Sequence, residues 1–319
     1  MSSQDLPPPA AHGGDAERVA RALGRPVDDI VDLSASLNPL APDCRPTLAA
    51  ALDQLDRYPD DTVATTALAD AMDVDASRLV LTNGGAEAIA LVAQLNPRVW
   101  ADECDFGLYR RHLSQLTPDG PRWRSDPHNP TGRLAPTDVY DAVRDEAFYL
   151  LATARWTRGD VGATVLGSLT KAWALPGLRI GYVLAADADQ ADAIRSLRPR
   201  WSVNGLVCAA LPALLELAEP RRWRDGIAEL RRQLVDVLAA HGLAAEPSDA
   251  NYVWVPDAPG LRDRLLPHGV LVRDGGSFGH PTAVRIAVPG PHDLACLEVA
   301  LTRALDPNTH KPADTEPHR

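Results

Sequence analysis

Cysteine is scarce in this 319-residue sequence, and the four present, Cys44, Cys104, Cys208 and Cys296, form no C-x-x-C pair. That pattern carries no zinc signature and suits reduced, mostly buried thiols. No apolar run approaches eighteen residues, which removes a membrane span. Residues 1–11 are polar and proline-rich without an apolar core, so no signal peptide is read and the expected compartment is the cytoplasm. Positive charge is also in deficit: the net charge of −11 argues against nucleic acid or an anionic membrane as a partner. Internal repeats are absent. Hydrophobic residues make up 45 % of the chain, enough for a sizeable core, and the length favours a large α/β domain with a smaller one appended.

The richest local signal is Ser168-Leu169-Thr170-Lys171, with Arg179 eight residues after the lysine inside Pro176-Gly177-Leu178-Arg179-Ile180-Gly181-Tyr182. A lysine in a polar loop is ordinarily a solvated surface residue. Beside two hydroxyls and an arginine it can instead be an amine nucleophile next to an anion cradle. Lys171 must then lie among cationic or apolar neighbours that lower its pKa, and Arg179 can do so while forking two hydrogen bonds onto a phosphate. Val80-Leu81-Thr82 reads as a strand end, Asn83-Gly84-Gly85 as a turn and Ala86 to Ala93 as the start of a helix. Small residues at such a junction offer backbone N–H groups to an anion, although an ordinary glycine turn has the same look.

Two further pieces are ambiguous by themselves. Pro127-His128-Asn129-Pro130-Thr131-Gly132 is dense in turn formers and leaves the Asn129 amide able to point inward. Asp145-Glu146-Ala147-Phe148 follows the run Val139, Tyr140, Ala142, Val143 and is expected to end a short strand, where a carboxylate can face a ligand crevice; otherwise Asp145 is one more solvated acid. Arg273 and Arg285 each interrupt a β-like apolar run, Val270 to Val272 and Ala283 to Val288. A buried guanidinium is costly unless it meets an anion, so each invites a partner; snorkelling from an edge strand is the alternative.

Helices are expected over 15–23, ended by Gly24, over 46–55, over 62–72 with Thr62 as N-cap, and over 186–197, 203–217 and 221–241. Residues 79–184 alternate apolar runs with turns, as a mostly parallel sheet does. The β-α-β-β-α pattern after Gly242 predicts a small mixed sheet, joined by the N-terminal segment, with a closing helix over 291–305. Arg222, Arg224, Arg231 and Arg232 read as a solvated helix face. Residues 307–319 are expected to be disordered.

The order of glycine cup, Asn-Pro-Thr-Gly, Asp-Glu-Ala-Phe, Ser-x-x-Lys and a following arginine resembles the fold-type I pyridoxal phosphate enzymes of the histidinol-phosphate aminotransferase and threonine-phosphate decarboxylase group, from about His12 to about Arg303. His12-Gly13-Gly14, Asp32 to Pro42 and Trp201-Ser202-Val203-Asn204 resemble the CobC-type L-threonine-O-3-phosphate decarboxylases of the cobalamin pathway. The resemblance implies an aspartate-aminotransferase-like α/β fold, with a large cofactor domain (36–205) and a small α+β domain (1–35 and 206–306).

It further implies that Lys171 holds pyridoxal 5'-phosphate as a Schiff base and moves the proton of the quinonoid carbon. Asp145 then pairs with the pyridine nitrogen, Asn129 bonds the phenolic oxygen and Phe106 stacks on the ring. Gly85, Ala86, Ser168, Thr170 and Arg179 bind the phosphate, with Tyr58 arriving from a partner subunit. His12, Asn38, Arg273 and Arg285 hold a small anionic amino-acid substrate, and Tyr58 and His12 serve the neighbouring site of a homodimer.

Three departures stand out. Only fifteen residues separate Asn129 from Asp145, so a crossover helix is deleted or reduced. Cys104-Asp105 replaces the proline usual in the segment before Phe106, and Phe148 stands where some relatives carry a tyrosine. The expected activity is decarboxylation of L-threonine O-3-phosphate or a similar anionic amino acid, the alternative an aminotransferase. A degenerate binding module that kept the fold is the reading outside enzymology.

Overall fold

Short apolar runs become strands in the order β1 (Val31–Leu33), β2 (Leu79–Thr82), β3 (Arg98–Val99), β4 (Gln115–Leu116), β5 (Trp123–Ser125), β6 (Val143–Asp145), β7 (Thr164–Ser168), β8 (Gly181–Leu184), β9 (Tyr252–Val255), β10 (Val270–Asp274) and β11 (Val284–Ala287). They are seen in a computed structural model that describes residues 6–306 apart from 97, 103, 104, 114, 139, 160 and 161. Cys104, Val139 and the tail 307–319, all singled out from sequence, lie outside the described residues.

One sheet has the order β2-β8-β7-β6-β5, and β8 alone runs against its neighbours. The β3-β4 ribbon is parallel and meets the edge of this sheet through a bridge from Trp100 to Arg122. β2 and β8 are buried throughout, as their unbroken apolar runs require. A second sheet, β1-β10-β11-β9, is mixed: β1 pairs parallel to β10, so the N-terminal segment is stitched to the C-terminal part of the chain.

The helix Pro220–Ala240 shows how patterning sets packing. Trp223, Ile227, Leu230, Leu234 and Leu238 recur every three or four residues and form its buried stripe. Each contributes about 1.5–3 kcal/mol by burial. Arg222 and Arg232 pair with Glu219 and Glu229 on the outer face, but Arg231 donates to the carbonyls of Asp249 and Ala250.

Several boundaries differ from the expectation. Thr62 is the first residue of its helix, not its cap; its N–H donates to Asp60. The segment expected as one helix over 46–55 divides into Arg45–Ala50 and a 3-10 turn, Leu52–Asp56. Leu261–Leu265 also tightens into a 3-10 turn, Leu266–His268, where Pro267 has no N–H to continue the α pattern.

The shortened crossover has a definite replacement. β5 and β6 are hydrogen-bonded parallel neighbours, yet no helix occurs among the described residues of 126–142. Side chains alternate along β6, so Arg144 faces away from Asp145, onto the sheet face that the crossover covers. There Arg144, fully buried, meets Asp126 at 3.0 Å and Asp141 at 3.2 Å. Arg124 adds a bond to Asp141, and Arg158 donates to the carbonyls of Pro136 and Thr137. A polar loop pinned by arginines thus does the work of an amphipathic helix.

Candidate functional site

The carboxyl ends of β6 and β7, together with the turn after β2, converge on Lys171. β7 ends at Ser168 and turns, so that Thr170 is buried and the Ser168 and Thr170 hydroxyls lie 2.8 Å apart. Beside them the helix Gly85–Leu95 begins, presenting the first-turn N–H groups of Gly85 and Ala86. Gly84 has φ +78°, and a Cβ there would lie 2.5 Å from Arg179 Nη2. The backbone conformation favours glycine at this position, and a side chain there would displace the guanidinium packed over it. A Cβ on Gly85 would reach Ser168 Cβ at 3.3 Å, which closes the cup.

Lys171 is one of two lysines in the sequence, and the other, Lys311, lies outside the described residues. Burial first, then the positive charges of Arg285 and Arg179, push its amine down to about 8, while Asp145 pulls the other way. Its Nζ lies 5.9 Å from the centre of the Phe148 ring. The turn is held by Asn38, whose N–H donates to the Lys171 carbonyl and whose Nδ2 donates to that of Ala172. Its Oδ1 accepts from Leu40 N–H, so the amide expected at the substrate is engaged with backbone around the Lys171 turn.

Asp145 closes β6 and is buried, as its place at a strand end requires. Burial raises its pKa, opposed by the Tyr109 hydroxyl, which donates to Oδ2 at 2.7 Å, and by Ala147 N–H. Tyr109 was missed from sequence. It lies three residues after Phe106 on the short helix Gly107–His112, with its ring edge-on to Phe106 at 5.8 Å and 5.4 Å from Trp123. The F-x-x-Y spacing was the available signal, since it puts both rings on one helical face.

Arg273 and Arg285 are opposite one another across the antiparallel β10-β11 pair, so both guanidinium groups leave the same face. Both are buried, and neither has a carboxylate at ion-pair distance among the described residues. Arg285 donates to Asn129 Oδ1 at 2.7 Å and to the Ser34 carbonyl, with Tyr252 and Phe278 flanking it. Arg273 donates to the Ala10 and Ala11 carbonyls and to Ser277; burial and Arg285 press its pKa down to about 10.

The carbonyls bound by Arg273 belong to the segment that brings His12 to within 5.5 Å of Phe106. His12, expected at a neighbouring site, thus lies beside Phe106 of its own chain. The His12-Gly13-Gly14 motif has a steric reason, because a Cβ on Gly13 would lie 2.2 Å from the Ser34 carbonyl oxygen. Trp201 to Asn204 has local roles as well: Ser202 donates to Glu87, and Asn204 caps the helix Gly205–Glu216. Tyr58 is not brought to the Lys171 cluster; it is 78 % exposed, with its ring 4.5 Å from Trp201. Asp102, Asp105 and His128 place ligand atoms within 4.8 Å of one another, but Asp102 is already paired with Arg122.

These residues fit pyridoxal 5'-phosphate. The glycine cup, two hydroxyls and Arg179 match a phosphate, the depressed amine an aldehyde, and the buried Asp145 a protonated ring nitrogen.

Comparison with known proteins points the same way. The family model "Aminotransferase class I and II" matches residues 123–303. Histidinol-phosphate aminotransferase 1 of Dechloromonas aromatica is 28 % identical over 93 % of this chain and 96 % of its own. Threonine-phosphate decarboxylase of Salmonella typhimurium is also 28 % identical, over 92 % of this chain and 97 % of its own. Histidinol-phosphate aminotransferase from Sinorhizobium meliloti, solved in complex with pyridoxal-5'-phosphate, superposes with a TM-score of 0.78 at 20 % identity, covering 91 % of this chain and 94 % of that one. The fold is the aspartate-aminotransferase-like fold type I.

Proposed function

The chain belongs to the class I and II aminotransferases, and from that premise we propose that it decarboxylates L-threonine O-3-phosphate or a closely similar amino acid with two anionic groups. Its cofactor is pyridoxal 5'-phosphate, and it is an enzyme of the aminotransferase-like class. The observation that carries the finer reading is the pair of buried arginines, Arg273 and Arg285, opposed on one face without a carboxylate partner among the described residues. Like charges directly across two strands repel. A ligand with a carboxylate and a phosphate relieves both.

When bound, pyridoxal phosphate supplies an aldehyde for the amino group and a ring that withdraws electrons from the α-carbon. The chain does the rest. Arg285, braced by Asn129, takes the α-carboxylate. His12 and Arg273 take the distal anion at the other end of the site. Tyr109 holds the Asp145 carboxylate toward the ring nitrogen. In decarboxylation the bond from the α-carbon to the carboxylate breaks, carbon dioxide leaves with the bonding pair remaining behind, and Lys171 Nζ delivers a proton to the α-carbon. In transamination Lys171 Nζ instead removes the α-proton. How Arg285 would orient the carboxylate decides between the two.

Transamination of an anionic amino compound is the second reading, favoured by the similarity to histidinol-phosphate aminotransferases. Incubation with L-threonine O-3-phosphate separates them: carbon dioxide in excess over enzyme supports the first, whereas stoichiometric pyridoxamine phosphate without carbon dioxide overturns it. We also propose a homodimer. The groove of about 890 Å³ lined by Pro46, Ala50, Tyr58, Val63 and Pro212 is its contact face, from which Tyr58 reaches the neighbouring phosphate cup. A monomeric mass in solution with full activity overturns that.

A further inference from the structure

The segment carrying Phe106 and the turn carrying Asn129 meet through two side chains that the reading above does not use. Ser125 ends β5; its hydroxyl donates to Asp105 Oδ1 at 2.6 Å and accepts the Asn129 N–H at 2.9 Å. Asn129 Oδ1 in turn accepts from Arg285 Nη1 at 2.7 Å. Asp105, Ser125, Asn129 and Arg285 thus form one continuous line of hydrogen bonds, and every member is buried.

We propose that Asp105 and Ser125 are positioning residues for the reaction, anchoring Asn129 against the cofactor and, through it, aiming Arg285 at the substrate carboxylate. The second half of this inference rests on the proposed role of Arg285. The physical case is one of freedom removed. An amide on a turn and a long guanidinium each have several rotamers, and a site must hold its groups to about half an ångström to act on them. Among the described residues Arg285 has two protein hydrogen-bond acceptors, Asn129 Oδ1 and the Ser34 carbonyl, while its Nε has none. Losing the Asn129 bond leaves a single tether. Asn129 is fixed at its backbone by Ser125, whose lone pair accepts the Asn129 N–H while its own proton goes to Asp105, which fixes the hydroxyl in the rotamer that serves both. Asp105 directly precedes Phe106, so the same carboxyl also ties the stacking ring to the opposite wall.

The surroundings of Asp105 make its protonation part of the device. Burial pushes its carboxyl up to about 7; the charges of Asp102 and Asp145 add to this, while Ser125 and Arg122 oppose it. His128 Nε2 lies 4.0 Å from Asp105 Oδ1, and Asp105 Oδ2 has no hydrogen-bond partner among the described residues. An asparagine at 105 preserves the acceptor for Ser125 without the titration.

The test measures two quantities in Asp105→Leu, Asp105→Asn, Ser125→Ala and the Asp105→Leu/Ser125→Ala double variant: the dissociation constant of pyridoxal 5'-phosphate from the apoprotein by tryptophan quenching, and KM against kcat for whichever amino substrate the wild type turns over. Ser125→Ala and Asp105→Leu are expected to weaken pyridoxal phosphate about tenfold, and to raise KM by more than they lower kcat. Asp105→Asn should restore binding to within about twofold and flatten any titration of the visible absorbance near pH 7. The double variant should be no worse than the poorer single one, because both changes cut one line. If Asp105→Leu does not fold, Ser125→Ala alone decides. Unchanged pyridoxal phosphate binding and KM in a folded Ser125→Ala protein overturns the proposal, as does full additivity in the double variant. Arg285→Leu is the control: if its KM equals that of wild type, the carboxylate reading fails, and the pyridoxal phosphate measurement still judges the anchoring of Asn129.

Discussion

The proposed phosphate cup and the proposed substrate arginines, Arg273 and Arg285, are built in opposite ways. The cup consists of backbone N–H groups, two hydroxyls and an exposed Arg179, all on neighbouring strand ends and a helix start. Water can solvate such a site, so its existence costs the fold little. The arginine pair consists of buried guanidinium groups set against each other on β10 and β11. Burial lowers the pKa of both, the sign that the protein disfavours their charge. On the proposed reading, one anion site costs the fold little while the other is held against a burial penalty that a bound anion would offset.

Five experiments break or sharpen this contrast. The largest effect belongs to the amine between the two sites: Lys171→Ala should lower turnover by about 10⁴-fold and remove the visible absorbance of the loaded protein. Next, Arg144→Met tests a buried charge of purely structural purpose. It should destabilise the fold by about 3–5 kcal/mol in urea titration, because Asp126 and Asp141 are left buried without it. Arg285→Leu should behave in the reverse manner, lowering kcat/KM by about 10²-fold or more while raising the apoprotein melting temperature. Gly84→Ala strikes the cup alone: the strained φ and the contact with Arg179 should weaken pyridoxal phosphate by about tenfold, with KM for substrate unchanged once the enzyme is saturated.

The smallest effect is one of pH. The Lys171 amine with a pKa of about 8 must lose its proton to attack, so the rate of apoprotein reconstitution should rise about tenfold per pH unit below 8 and level off above it. Stability follows the same sign. The folded amine holds its proton less tightly than the unfolded one, so between about 8 and 10.5 the unfolded state binds more protons and folding gains as pH rises.

The cup was legible in the sequence because its parts are short, contiguous and chemically loud: glycines before a helix, hydroxyls beside a lysine, an arginine a fixed distance on. Asp145 was legible for a similar reason, although the shortened crossover obscured its strand. What sequence could not give were the partners that these residues acquire in three dimensions. Tyr109 meets Asp145 across 36 positions, and Asn38 meets Ala172 across 134. A tyrosine in Gly-Leu-Tyr-Arg-Arg-His and an asparagine before proline each have a sufficient local explanation, so nothing in the pattern calls for a distant contact. Lysine scarcity was the overlooked signal, since a chain this rich in arginine that keeps a lysine at 171 has placed it where an arginine could not serve as an amine nucleophile.

The arginine-pinned crossover of residues 126–142 has a consequence for descent. An amphipathic helix can drift one side chain at a time, because a valine for a leucine leaves its neighbours content. Arg144, Asp126 and Asp141 have less latitude: altering any one takes a partner from a buried charge. The loop and its ion pairs should therefore be inherited as a block, kept whole or replaced whole, and homologues carrying the compact form should carry all three side chains together.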